Sequence, residues 1–142
     1  MSADRNKVIE AFHRHIVPLL EARGFSGRFP DFRRIAPDSV HLLSIHFARD
    51  RPAYAAEISC APRTGLPVAG NLVPAEELTA WHVAVSARFR IGPDSPDQWF
   101  SFEEPFFSIG DPYKRAVLGI IPYLEKQAEL WWKEAASYSH AP

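Results

Sequence analysis

The 142-residue sequence has a single cysteine, a single methionine and almost no excess of charge of either sign. Cys60 has no second thiol in the chain to pair with, so an internal disulfide is excluded and a reducing compartment is expected. Sixteen Lys and Arg against seventeen Asp and Glu leave a formal net charge of −1, which builds no overall field for a phosphate polymer or an anionic membrane. No apolar stretch approaches the ~20 residues of a membrane span, and the polar segment 1–7 has no leader character. These absences point to a cytoplasmic protein whose partners include neither nucleic acid nor membrane. Internal repeats and low-complexity tracts are also missing. Apolar residues make up 46% of the chain and charged residues 23%, a globular balance, and the length suits one domain over 1–142.

What is present is a change of period along the chain. Between 5 and 22, Val8, Ile9, Phe12, Ile16, Leu19 and Leu20 recur at three-and-four spacing, the core stripe of a helix. Pro18 lies inside that pattern and predicts a kink near 14–15, while Gly24 and Phe25 supply a Schellman-type stop. Beyond Phe29 the alternation becomes two-residue. Strands are expected over 32–36, 40–48 and 54–61, joined by turns short enough to require antiparallel neighbours. In the second strand His41, Leu43, Ile45 and Phe47 form the core side.

The segment 62–80 carries Pro62, Gly65, Pro67, Gly70 and Pro74 and reads as an excursion, with a short helix from about 74 to 80. Strand character returns over 83–91 and 99–103. Asp111 as cap and Pro112 at the first turn open a closing helix over 113–136, which Gly119 and Pro122 should bend or split. The fold class is therefore α+β with two layers: a four- or five-stranded antiparallel meander with the N- and C-terminal helices on one face.

The runs Leu20-Glu21-Ala22-Arg23-Gly24-Phe25, Phe32-Arg33-Arg34, 41–47 and 54–59, with Arg88-Phe89-Arg90-Ile91-Gly92 and Trp99-Phe100, resemble a bacterial family described only as a domain of unknown function. The resemblance implies a helix, an antiparallel sheet and a second helix. It carries no activity or catalytic residue to transfer.

If Leu43, Ile45, Phe47, Tyr54, Ile58, Val83, Val85 and Phe89 face the helices, the opposite face shows Arg34, Ser44, His46, Glu57, Ser59, Ser86, Arg88, Arg90, Ser101 and Glu103. From this set Arg34, His46, Glu57, Arg88 and Arg90 are the candidate ligand-binding residues. A histidine beside a carboxylate suits acid/base work, and paired arginines suit a small anion; the competing reading is a solvated sheet face with cross-strand ion pairs.

The adjacent pairs Phe106, Phe107 and Trp131, Trp132 exceed what one small core requires and are the candidate partner surface, a homodimer being the simplest partner by symmetry. Histidine spacing indicates no metal site, and no cofactor motif is present. Cys60 reads as a small thiol at a strand end, Asp94 and Asp97 as turn residues, and the alternating Arg and Phe residues of 23–34 as core aromatics with surface cations. A non-catalytic binding or interaction module leads; a small enzyme or anion-binding domain using the His/Glu/Arg face is the alternative.

Overall fold

The computed structural model describes residues 2–93, 98–103 and 110–139. Helix α1 spans Ser2–His15 and α2 Val17–Ala22, and the break between them falls at Ile16, two residues before Pro18. Proline at 18 lacks the N–H that would continue the ladder, so the chain restarts a turn with that residue near its beginning. At the end of α2 the Phe25 N–H reaches the Leu20 carbonyl and the Gly24 N–H the Glu21 carbonyl, both in the Schellman pattern. Gly24 occupies φ +92°, where a side chain is strained.

Strands β1 (Ser26–Arg28), β2 (Asp31–Ile35), β3 (Val40–Phe47) and β4 (Ala53–Ala61) follow as an antiparallel meander. After a two-stranded hairpin of β5 (Leu66–Val68) and β6 (Asn71–Val73), β7 (Phe89–Ile91) and β8 (Phe100–Ser101) both pair with β4. The expected strand over 83–91 is thus reduced to its last three residues: Val85–Ala87 is a 3-10 turn that breaks the alternation. The expected helix near 74–80 is likewise two single turns, Ala75–Glu77 and Ala80–His82. The second starts at Thr79, whose backbone N–H donates to the His82 ring.

The closing helix splits where Gly119 and Pro122 predict. Asp111 caps α3 (Pro112–Leu118) by accepting from the Tyr113 and Lys114 N–H groups, a π-helical stretch runs Tyr123–Ala128, and α4 spans Glu129–Ser139.

All four helices pack on one face of the sheet. Val8, Phe12, Ile16, Leu20, Leu43, Ile45, Ile58, Val117, Ile120 and Leu124 form that core, and the buried Tyr54 hydroxyl ties it to α3 by donating to the Ala116 carbonyl. The opposite face departs from the expected solvated layer. Val40, Leu42 and Ala61 are buried beneath Ala75, Leu78, Ala80 and Val83, so the chain after the hairpin roofs one end of it. Val83 therefore belongs to this second cluster rather than facing the helices, and Val85 is 75% exposed.

Candidate functional site

Cross-strand pairing decides which candidates can meet. In the antiparallel register Glu57 sits opposite Ser44 on β3 and opposite Arg90 on β7, while His46 lies opposite Ala55. Residues 44, 46, 55, 57 and 90 share the face away from the helices, because directly opposed side chains of an antiparallel pair project to the same side.

There the Arg90 Nη2 donates to Glu57 Oε1 at 3.0 Å and to His46 Nε2 at 3.2 Å. A guanidinium can only donate, so the Nε2 lone pair is the acceptor and the neutral ring carries its proton on Nδ1. That Nδ1 is buried, 3.7 Å from Glu57 Oε1 and beyond hydrogen-bond reach. Burial pushes the His46 pKa down; Glu57 opposes this, and Arg90 and Arg88 add to it.

Two indoles bracket the histidine. Trp81 lies with its ring centroid 5.6 Å from that of His46, and Trp99 stands edge-on at 5.5 Å. Arginine planes cover both: Arg88 over Trp81 at 4.7 Å, and Arg90 and Arg51 over Trp99 at 4.9 and 5.2 Å. Arg88 is itself braced by donating from Nε to the Val83 carbonyl and from Nη2 to that of Trp81, which holds the 81–88 turn in shape. Trp81 remains 44% exposed.

The other candidates go elsewhere. Arg34 pairs with His41 and lies on the helix face, opposite to the expected placement; it is the alternation from the inward Phe32 that carries it there. Its Nε donates to His41 Nδ1 at 3.0 Å, Nη1 to Glu129 Oε2 at 3.0 Å, and Nη2 to Glu129 Oε1. The guanidinium also lies over the rings of Phe25 at 4.6 Å and Trp132 at 5.3 Å. His41, stacked on Trp132 at 5.1 Å, is held down to about 4 by burial and by the Arg34 charge, against the opposing pull of Glu129. For Glu129, burial alone would raise the carboxyl, but the Arg34 hydrogen bonds with the charges of Arg34, Arg23 and His41 outweigh it and leave the pKa lowered.

Trp132 is a core residue, not partner surface: it is buried and donates from Nε1 to the Ser59 carbonyl at 2.9 Å. Trp131 is half-buried and stacks on Phe89 at 6.1 Å. Phe106, Phe107, Asp94 and Asp97 lie outside the described residues. Ser44 is buried and donates to Asp31 Oδ1, and Cys60 occupies the helix face, its thiol pushed up by burial. Among the described residues no group of three His, Cys, Asp or Glu side chains is arranged to hold a metal ion, and no helix is long and apolar enough to cross a membrane.

Sequence reading missed Trp81 and Trp99 as neighbours of His46. The missing signal was tertiary: neither indole sits in a strand, and it is the roof after Leu78 that brings Trp81, and the start of β8 that brings Trp99, to the histidine.

Comparison with protein-family models, with curated proteins and with solved structures finds no match. The resemblance to the bacterial family rests on the residues that suggested it.

Proposed function

We propose that this chain is a non-catalytic interaction module that engages a polypeptide partner through the indole and guanidinium surface formed by Trp81 and Arg88, with His46, Arg90 and Trp99 behind them. One observation carries the reading: a half-exposed indole is covered by an arginine that is itself tied to the backbone through Nε and Nη2. Tryptophan and arginine dominate the energetics of protein interfaces, and a rigid pair loses little freedom on binding.

The chemistry around His46 supports binding over catalysis. Arg90 occupies the carboxylate that would orient a base, the ring nitrogen facing Arg90 is committed as an acceptor, and Ser44, on the same face, is buried against Asp31. The test is selection from a random peptide library displayed on phage, run in parallel on the wild-type chain and Trp81→Ala. Recovery of a consensus peptide whose affinity falls at least about tenfold on Trp81→Ala supports the reading. A library that yields no consensus, or a consensus bound equally by both proteins, overturns it.

A further inference from the structure

A second feature of the polar face lies on the far side of β3 from the indoles. The β1–β2 hairpin and Thr79 enclose a cleft of about 550 Å³, lined among others by Arg28, Phe29, Asp31 and Arg33. The register places Arg28 opposite Asp31 and Arg33 opposite Ser26, so the alternating side chains of 26, 28, 31 and 33 share one side of the hairpin.

Arg33 is prepared for a ligand. Its Nε donates to the Leu78 carbonyl at 2.8 Å, which anchors the side chain between β2 and the roof and leaves both Nη groups without an acceptor among the described residues. Arg28 has no hydrogen-bond or ion-pair partner among the described residues and is exposed. The one carboxylate lining the cleft, Asp31, accepts from the Ser44 hydroxyl at 2.6 Å and lies within ion-pair distance of neither arginine. Two guanidinium groups against one carboxylate leave the cleft with an excess positive charge in a chain that is otherwise almost neutral. The Phe29 ring packs toward the helix-side core, 5.2 Å from Phe12 and 6.1 Å from Phe47, so the two guanidinium groups give the cleft its character.

We infer that this cleft is a binding site for a small oxyanion, a carboxylate or phosphate, held by the Nη groups of Arg33 and by Arg28. A tethered arginine presents its donors in a fork that matches an oxyanion, and the entropy of placing it is already spent. The site is separate from the Trp81 surface and stands or falls independently of it.

The experiment is a two-dimensional NMR and calorimetric titration of the full chain with phenyl phosphate, benzoate and inorganic phosphate, repeated at raised salt. Saturable shifts centred on 27–33, weakened about tenfold in Arg28→Gln and in Arg33→Gln and unchanged in Arg63→Gln, are expected. Arg28→Gln removes an exposed side chain without a partner, so it decides the matter should Arg33→Gln compromise folding. Tighter binding of phenyl phosphate than benzoate assigns the site to phosphoryl groups, and the reverse order to carboxylates. Absence of saturation with all three probes, or equal affinity in Arg28→Gln and the wild type, overturns the inference.

Discussion

The Arg34 guanidinium joins the sheet to α4, bonding Glu129 and His41 while lying over the Trp132 ring. Alternation from Phe32 assigns it inward, and its charge argues outward; the inward assignment holds because Glu129, 95 residues away, supplies a carboxylate and His41 a lone pair. The first part was legible from period two alone. The partner was not, since nothing local in the sequence says which helical turn will lie over which strand. A half-buried pair of this kind is strongly felt when one member is removed, because the remaining charge loses its compensation. Glu129→Gln should therefore lower stability by about 1–3 kcal/mol in urea unfolding, whereas Arg34→Met combined with Glu129→Met should recover part of the loss. Equal and additive single losses would show that the two side chains do not interact.

At the scale of elements, the helices were legible because caps and breakers are local: Pro18, Gly24, Asp111 and the pair Gly119 and Pro122 each act within a turn. Strand 83–91 was not, since Val83, Val85 and Ala87 alternate as a strand would while the chain instead turns over the sheet to place Val83 on the second core. The joint between α4 and the sheet also makes stability depend on acidity. His41 ordinarily titrates near 6.5 and is held to about 4 in the fold, by burial first and by Arg34 second. Between those values the unfolded chain takes up a proton that the folded one refuses, so the contribution is complete above about pH 6.5 and is lost on acidification toward 4. Because the ring is only half-buried, solvent screens its neighbours and the loss comes to about 1–2 kcal/mol. Melting curves between pH 7 and 4.5 should fall less steeply for His41→Gln, which keeps an acceptor for Arg34 but cannot titrate. His46, also lowered in the fold, retains its own share of the slope. Parallel curves for the two proteins would exclude His41 as the group responsible.

For the whole molecule, the α+β order and the side on which the helices lie follow from the sequence pattern, and the pairing of His46, Glu57 and Arg90 follows from the register that this pattern sets. The roof does not. A segment rich in proline and glycine reads as an excursion, and only Ala75, Leu78, Ala80 and Val83 arriving over Leu42 reveal that the sheet is packed on both sides at that end. Leu78 is fully buried and central to this second cluster. Leu78→Ala should cost about 2–5 kcal/mol in denaturant unfolding, the range of a core leucine, and should disturb the Arg33 tether to its carbonyl. A cost below about 0.5 kcal/mol, typical of a surface site, would mean the roof is not held against the sheet in solution.

The Trp132 side chain closes the hydrophobic layer by reaching back to the Ser59 carbonyl, 73 residues earlier. Protein synthesis proceeds in one direction, so β3 and β4 leave the ribosome well before the indole that completes their packing exists. Helices α1 and α2 come before those strands and can cover their share of the inner surface at once, but the part beneath Trp132 stays open to water, and to chaperones, until α4 has emerged.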